Sequence, residues 1–516
     1  MYTRDKKVRP RQSTRLFRAP GLIRSTLLLA MVLSLGSPPV STAQVAEGDG
    51  LAPGTSEETS PQLTKLTLQN CIDLALRNNH AKAASHYSIE IAEAQHRQAL
   101  SAYWPQVGIK ATYSILDEDP NFVFPAQNMQ IPASTIIATT PLGQMPIEIP
   151  ASTFAIPEQN IKLMDRQNFV ASLNATLPLY TGGKISSIVR QADQGLRAAK
   201  EESRRTDLQV TYDTTRYYYG AVLGKELLTI GRDTLARMEV TLELTENLYT
   251  KGSGRVKKTD YLRNKTVVEW LRSAVSSLEA NEKLAKAALT NSMAIPWDTP
   301  IEVAAENLPF TPVRSDLHDL VSESYRFNPD WARMEAGLLA AEARISEARS
   351  GHLPKVGLFG NLTRIENSYD KGIVTPENRN SWAVGIGLEI PLFDGLRTTN
   401  EVREAKARLA KLKEQQILLR EGLALQVKHL FIQLMKSQDQ QASTEAAANS
   451  AEENRSLNER AYQEELVETK DVIEAQLMES LMKAQHLKTL YDHLEAGANL
   501  DFVVGKQLEN FMERVQ

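Results

Sequence analysis

The chain has 516 residues, of which 42% are hydrophobic and 24% are charged, so it can bury a core and is too long for one ordinary domain. A single cysteine excludes a disulfide framework and any site built from clustered thiolates. The formal net charge of −4 gives no sign of the global basicity that nucleic-acid binding requires. The mean hydropathy of −0.33 excludes a bundle of membrane-spanning helices.

The first 43 residues have the order of a secretory signal peptide. Basic residues come first, the apolar run Leu27–Leu33 follows, and Ser41 and Ala43 stand at positions −3 and −1 of a cut after Ala43. The apolar run is too short to anchor the chain in a bilayer. Residues 1–43 carry eight basic residues and one acid, so cleavage changes the formal charge from −4 to −11. We therefore expect an exported protein, in which residues 44–62 form a flexible N-terminal segment.

The remainder of the chain consists of two copies of one sequence unit. Pro105-Gln106-Val107-Gly108 recurs as Pro354-Lys355-Val356-Gly357, a shift of 249 residues, whereas Pro178–Gly182 recurs as Pro391–Gly395, a shift of 213. The difference, 249 − 213 = 36, is an insertion in the first copy. Constant shifts over long stretches indicate an internal duplication. We expect the first copy at 63–300, a linker at 301–314, the second copy at 315–505 and a tail at 506–516.

Each copy is predicted to run helix, strand, loop, strand, long helix, turn, helix. Alternation with a period of two predicts four strands, at about 107–116, 168–177, 356–365 and 381–390. One face of each strand is apolar, and the other is small and polar. This alternation fits a tilted crossing of an outer membrane and equally a half-buried sheet in a soluble protein.

Two long helices favour the membrane interpretation. The runs Lys184–Thr250 and Arg397–Gln463 contain no proline and extend roughly 100 Å as helices. A coiled-coil seam interrupted at Gln416 follows the second run, at Val402, Ala405, Leu409, Leu412, Leu419 and Leu423. Four strands in lipid would leave open sheet edges, so closure requires several chains, and three chains would give twelve strands.

The stretch 117–165 separates the first two strands. Between Pro120 and Pro157 it contains seven prolines and one charged residue, Glu148. Proline disfavours both helix and sheet, so we expect a long external loop, either a surface loop or a lid.

Over residues 63–505 the chain resembles the TolC-type family of outer-membrane channel proteins. The residues that carry the resemblance are the helix openings Leu66–Ile72 and Asn328-Pro329, the strand entries Pro105 and Pro354, the turns Leu177–Gly183 and Ile390–Gly395, and the stretch Tyr462–Gln476. The resemblance implies a homotrimer whose twelve-stranded outer-membrane barrel joins a long α-helical coiled-coil tunnel through the periplasm. It also implies a periplasmic adaptor and an inner-membrane transporter of the RND or ABC type as partners.

The resemblance assigns three groups of site residues. Asp471 and Glu474 lie three residues apart on one helical face and match the carboxylate ring that constricts the channel entrance; spacing alone equally fits a solvated face. Tyr462, Thr259 and Asp260 match an entrance lock, although the family's lock arginine aligns with Val467. The adaptor-contact tip matches Gly252, Ser253, Gly254 and Glu465.

The sequence lacks the residue patterns that are typical of enzyme active sites. The eight histidines include no pair three or four residues apart, and there is neither a nucleophile elbow nor a phosphate-binding loop. Cys71 falls on an apolar helical face and is expected in the core. We therefore expect a passive export channel without cofactor or metal. The alternative is a soluble periplasmic coiled-coil scaffold or adaptor protein with a small β domain.

Overall fold

A computed structural model describes residues 64–252, 256–464 and 466–506. The expected signal peptide, the segment 44–62 and the tail from residue 507 onward lie outside these ranges, as do Ser253, Gly254 and Glu465. Within these ranges, no helix combines the length and the apolar character needed to cross a membrane.

The described residues repeat one order of elements twice, as the duplication predicts. The first copy contains β1 (Thr64–Leu66), α1 (Leu68–Asn78), α2 (His80–Ser101), β2 (Gln106–Ile115), β3 (Asn121–Phe124), β4 (Gln127–Ile131), β5 (Ser134–Thr140), β6 (Gly143–Ile149), β7 (Ser152–Ile156), β8 (Gln159–Lys162), β9 (Gln167–Tyr180), α3 (Lys184–Thr250) and α4 (Lys258–Ser292). Between the copies lies β10 (Ile301–Val303). The second copy contains α5 (Leu317–Phe327), α6 (Pro329–Arg349), a 3₁₀ turn (Ser350–His352), β11 (Lys355–Asn367), β12 (Asn380–Glu389), α7 (Arg397–Gln463) and α8 (Thr469–Val504).

One asparagine in each copy forms the same set of contacts. Asn79 caps α2, its Oδ1 accepting from the backbone N–H of Ala81 at 2.8 Å, and its Nδ2 donates to the carbonyl of Ser292 at the end of α4. Asn328 caps α6 in the same way, and its Nδ2 donates to the carbonyl of Val503 at the end of α8. The side-chain oxygen satisfies a backbone N–H that a helix start leaves unpaired. The duplication therefore extends to individual hydrogen bonds.

The segment between the copies is more than a linker. β10 pairs in parallel with β1, so residues from the two sides of the first copy meet in one small sheet. Leu66, Ile301 and Val303 are buried there and belong to the core of the first copy, together with Cys71. Burial raises the pKa of the Cys71 thiol to about 12. The predicted linker 301–314 thus supplies apolar residues that complete this core.

The four predicted strands form one antiparallel sheet in the order β12–β11–β9–β2. Predicted and observed strand ends differ by one residue, except that β9 and β11 continue further at their C-terminal ends. The register aligns Ile109, Leu173, Leu362 and Trp382 in one row across the sheet, and all four are exposed, Ile109 at 80% and Trp382 at 75%. The next row contains Gly108, Asn174, Asn361 and Ala383. One face of the sheet is therefore apolar and uncovered, and the described residues leave one edge each of β2 and β12 unpaired.

The insertion between β2 and β9 forms strands. β3 pairs with β8, β4 with β7 and β5 with β6, all antiparallel and in one continuous register around a turn at Pro141-Leu142. The expectation that proline prevents sheet in 117–165 was wrong. Four prolines lie in the gaps between successive strands, and the remaining backbone can still form a two-stranded ladder, since proline is tolerated where no N–H is needed. Those four are Pro125, Pro132, Pro150 and Pro157.

The two longest helices coincide with the proline-free runs. α3 and α7 contain 67 residues each, or roughly 100 Å. α7 packs along α8, α3 packs along α4, and α3 also contacts α8. The predicted seam of α7 faces inward: Ala405 and Leu423 are buried, and the inward stripe continues through Val427, Leu430 and Leu434. Long helices are thus stabilised by neighbours rather than by propensity alone.

Candidate functional site

The turns that join α3 to α4 and α7 to α8 lie at the end of the helices remote from the four-stranded sheet. Each second helix starts with an aspartate in its first turn. The carboxylate of Asp260 accepts from the backbone N–H of Lys257 at 3.0 Å, and that of Asp471 accepts from the N–H of Glu468 at 3.1 Å. A carboxylate in this position caps the helix and complements its dipole. Asp260 and Asp471 therefore stabilise the starts of α4 and α8.

Asp471 and Glu474 are both exposed on the first turns of α8. Glu474 forms an ion pair of 3.5 Å with Lys470 on its own helix, and no ion pair among the described residues joins either carboxylate to another helix. The chain thus presents two carboxylates on an open surface. Their arrangement as a ring in an assembly stays a prediction.

Tyr462 lies inside the helical packing near the end of α7. Its Oη lies 3.1 Å from Thr245 Oγ1 on α3 and 3.0 Å from Thr469 Oγ1 on α8. Asn264 on α4 donates to the same Thr245 hydroxyl at 3.3 Å. This hydroxyl network connects all four long helices. Tyr462 therefore couples one helix pair to the other.

The other predicted lock residues take no part in this network. Thr259 is exposed on the first turn of α4, and Asp260 caps that helix and lies 3.8 Å from Arg263. Among the described residues, no hydrogen bond or ion pair joins Tyr462 to either of them. Within one chain Tyr462 contacts Thr245 and Thr469 instead, and the entrance lock of Tyr462, Thr259 and Asp260 stays a prediction. Gly252, in the predicted tip, is exposed and adopts a φ of 68°, a left-handed conformation that favours glycine.

The buried carboxylate of Glu479, which the sequence did not single out, lies about two turns beyond Asp471 on α8. Glu479 is completely buried, and three cations surround it. Its Oε2 lies 2.9 Å from Arg455 Nε on α7 and 3.3 Å from Arg237 Nη2 on α3, and its Oε1 lies 2.8 Å from Lys483 Nζ. Buried charges are tolerated in proteins when they are paired and hydrogen-bonded in this way.

The charges around Glu479 form a closed, balanced group. Arg455 also contacts Glu459 at 2.7 Å, and Lys483 contacts Glu452 at 3.1 Å. Gln476 donates to Glu459 at 2.9 Å and to Thr241 at 3.2 Å. The Glu479 cluster consists of three acids, three bases and one amide: Arg237, Glu452, Arg455, Glu459, Gln476, Glu479 and Lys483.

Mutual stabilisation keeps the Glu479 cluster ionised. Burial opposes the charge on Glu479, but the hydrogen bond from Lys483 and the charges of Arg237, Lys483 and Arg455 hold the pKa of its carboxyl below the usual 4.5. Burial likewise opposes the charge on Lys483, yet the pKa of its ammonium is raised because Glu479 and Glu452 accept its hydrogen bonds. At neutral pH Glu479 and Lys483 therefore both carry their full charges.

The Glu479 cluster ties α7 to α8 more firmly than it ties either helix to α3. Between α7 and α8 it has contacts through Arg455, Lys483 and Gln476. Toward α3 it has only the longer contact of Arg237, whose buried Nε has no hydrogen-bond partner among the described residues, and the hydroxyl of Thr241. α7 and α8 are thus bound as one unit, and α3 is the more easily separated neighbour.

The described residues contain no group of three or more histidine, cysteine, aspartate or glutamate side chains that is placed to hold a metal ion.

The chain has bacterial relatives that are similar in sequence over much of its length. The chain is 22% identical over 302 residues to Nodulation protein T of Rhizobium leguminosarum bv. trifolii, across 58% of the chain and 62% of that protein. It is 24% identical over 393 residues to Protein CyaE of Bordetella pertussis, across 75% of the chain and 71% of that protein. The matched part of the chain thus spans less than two thirds of the length of the first of these relatives.

Solved structures share the fold. The crystal structure of the outer membrane protein VceC from Vibrio cholerae superposes with a TM-score of 0.66 at 18% identity, covering 86% of this chain and 97% of that one. The predicted fold, a β-barrel contribution joined to a long helical tunnel, is confirmed by this likeness. The family model described as outer membrane efflux protein matches residues 71–294 and 320–506, which together make up most of the chain. The chain belongs to the outer membrane efflux protein family.

Proposed function

We propose that this protein is the outer-membrane channel of a tripartite efflux or type I secretion system, and that it conducts substrates passively to the exterior. The observation that carries the proposal is the exposed apolar row Ile109, Leu173, Leu362 and Trp382 on a sheet continuous with helices of roughly 100 Å. Water disfavours such a face, whereas a bilayer core favours it. Family membership supports the same function.

Closure of the sheet supports a homotrimer. One chain supplies four strands to this sheet, and within 64–252, 256–464 and 466–506 no strand pairs with the outer edge of β2 or of β12. Unpaired backbone groups are not tolerated in a hydrocarbon core, so these edges pair between neighbouring copies. Two copies give an eight-stranded barrel that side chains fill, whereas three give twelve strands and a lumen wide enough to conduct.

The entrance to the channel is the end with Tyr462, Asp471 and Glu474. In a threefold assembly each exposed carboxylate of α8 becomes a ring, which attracts cations and narrows the pore. The Glu479 cluster and Tyr462 hold α3 against α7 and α8, so opening requires these contacts to loosen. The turns around Gly252 would meet a periplasmic adaptor, which connects the channel to an RND-type or ABC-type inner-membrane transporter.

Cell fractionation tests the proposal against a soluble periplasmic scaffold. We expect the mature protein in the outer-membrane fraction, extractable only with detergent, beginning at Gln44 after cleavage and running as a heat-sensitive trimer on gels. In planar bilayers the purified protein should form conducting channels. Release by osmotic shock without detergent, as a monomer that forms no channels, would support the scaffold instead.

The variant Tyr462→Phe tests the coupling of the helix pairs. The substitution removes the hydroxyl that contacts Thr245 and Thr469 and costs about 1 kcal/mol, the usual size of one intramolecular hydrogen bond. We expect more frequent opening in single-channel recordings. The matched control is Tyr249→Phe, because Tyr249 occupies the corresponding position in the first copy and stacks on Tyr261 instead. Equal opening frequencies in the two variants would contradict the assignment.

A further inference from the structure

The insertion of the first copy forms an exposed two-stranded ribbon, defined here as residues 121–162. It leaves the four-stranded sheet where β2 ends at Ile115 and β9 begins at Gln167, the end remote from the helices. Nearly all of its side chains are exposed, and Leu142 at the turn is fully exposed. An isolated two-stranded ribbon is marginally stable in water, so a partner surface is expected.

The base of the ribbon is held firmly. Lys162 forms an ion pair of 2.6 Å with Asp119, and the N–H of Leu163 donates to the carbonyl of Pro120 at 2.8 Å. From the second copy, the N–H of Ile373 donates to the carbonyl of Leu163 at 2.8 Å. Gly372 stands so close to that carbonyl that an added Cβ would lie 1.9 Å from it. The ribbon therefore has a defined exit direction.

Apolar side chains lie opposite one another across the ribbon in its central and outer segments. In the central segment Met129 lies opposite Phe154, whereas Gln130 lies opposite Thr153 on the other face. In the outer segment Ile136 lies opposite Ile147, and Ala138 lies opposite Met145. These apolar side chains are exposed, Phe154 at 66% and Met145 at 62%. Exposed apolar side chains in such numbers mark an interaction site.

The chemistry of the ribbon argues against lipid as the partner. Between Pro120 and Pro157 the only charged residue is Glu148, so no cations are available for anionic headgroups. Insertion among acyl chains would leave the outer backbone groups of both arms unpaired. Edge-to-edge strand pairing is also blocked at intervals by proline, which lacks the N–H donor. The apolar faces remain as the contact surface.

Other copies of the same ribbon meet these requirements. Neighbouring strands of a sheet lie about 4.8 Å apart, so the four strands of one copy occupy about 20 Å of the circumference of a closed sheet. Equivalent points on neighbouring copies are therefore about 20 Å apart. One arm of the ribbon extends up to about 65 Å, so a small inclination brings the ribbons together. We propose that the ribbons of three copies pack through their apolar faces into a collar around the outlet. This inference rests on the trimeric channel proposed above.

Cross-linking tests the collar in the full-length protein, in a Cys71→Ala background that removes the single native thiol. Met129→Cys places a thiol on the apolar face, and Asn128→Cys places one on the polar face of the same strand. With a short bismaleimide in detergent solution, we expect several-fold more covalent dimer from Met129→Cys than from Asn128→Cys. Adding Ile147→Gln, on the same face of the same strand, to Met145→Cys should reduce cross-linking of the outer segment by a similar factor.

Unheated gels and planar-bilayer recordings separate the possible failures. Intact conducting trimers with equal cross-linking from both faces would overturn the collar and leave the channel standing. Protection of Met129→Cys from maleimide only after reconstitution into vesicles, without dimer, would assign the face to lipid and also overturn the collar. Absence of both trimer and conductance would overturn the proposed function and the collar with it.

Discussion

Replacing Glu479 with glutamine should be among the most damaging single substitutions in the helical part of the molecule. The change leaves Arg237, Arg455 and Lys483 facing one another without the carboxylate that pairs them. Removal of one partner from a buried ion pair costs about 3–5 kcal/mol, because the remaining charges stay desolvated. We expect a fall of several degrees in the thermal midpoint of the trimer and spontaneous opening in bilayer recordings.

Two controls separate the Glu479 cluster from ordinary surface charge. Glu239→Gln breaks the exposed pair with Arg272 on the same helix bundle and should cost at most about 1 kcal/mol. Arg237→Gln removes only the contact to α3, so we expect more frequent opening with a smaller loss of thermal stability. A thermal midpoint for Glu479→Gln equal to that of Glu239→Gln would contradict the structural role of the cluster.

The contribution of Glu479 to the stability of the folded protein also depends on pH. The pKa of Glu479 is depressed in the folded protein, so its contribution to stability is present above the ordinary carboxyl value of 4.5 and is lost as the pH falls through the lower folded value. The difference in thermal midpoint between the wild type and Glu479→Gln should therefore shrink in acid. A difference that stays constant down to that range would show that the carboxylate acts through packing rather than charge.

Removing both carboxylates from the start of α8 should change conduction more than stability. In the variant Asp471→Asn with Glu474→Gln, each ring of the proposed trimer loses its charge while side-chain size is nearly kept. We expect a higher single-channel conductance, a severalfold lower preference for cations over anions and weaker block by multivalent cations. Planar-bilayer recordings in asymmetric salt measure all three.

The cap made by Asp471 requires its own control. Because its carboxylate accepts from the N–H of Glu468, part of any effect reflects a weaker start of α8. Asp260→Asn weakens the equivalent cap of α4. If Asp260→Asn reproduces the change in conductance, or if the double variant leaves conductance and block unchanged, the ring assignment is wrong.

Local patterns in the sequence predicted the architecture well. Period-two alternation located all four strands of the sheet, and the proline-free runs Lys184–Thr250 and Arg397–Gln463 form α3 and α7. Each of these signals is read within one element, where backbone sterics and side-chain direction decide the outcome. The number of prolines predicted a loop where the ribbon lies. Their positions matter more, because four of them lie in the gaps between strands.

Contacts between helices that are far apart in the chain could not be predicted from the sequence. Glu479 and Lys483 stand four residues apart, as do Arg455 and Glu459, and such pairs usually lie on solvated helix faces. Only the packing of α8 against both α7 and α3 makes Glu479 a buried charge with three partners. Tyr462 illustrates the same limit, since nothing near it in the sequence singles out Thr245, which lies 217 residues away.

The paired asparagines have a mechanical consequence. Asn79 fastens the short helices of the first copy to the last turn of its own α4, and Asn328 fastens those of the second copy to the last turn of its own α8. Each copy is therefore braced internally at this level, and α3 also bonds the first copy to the second, since Arg204 donates to the carbonyl of Phe327 at 2.6 Å and Arg205 pairs with Asp330 at 3.2 Å. Because these bonds hold the two copies together here, we expect movement of one copy against the other at the far ends of the long helices instead.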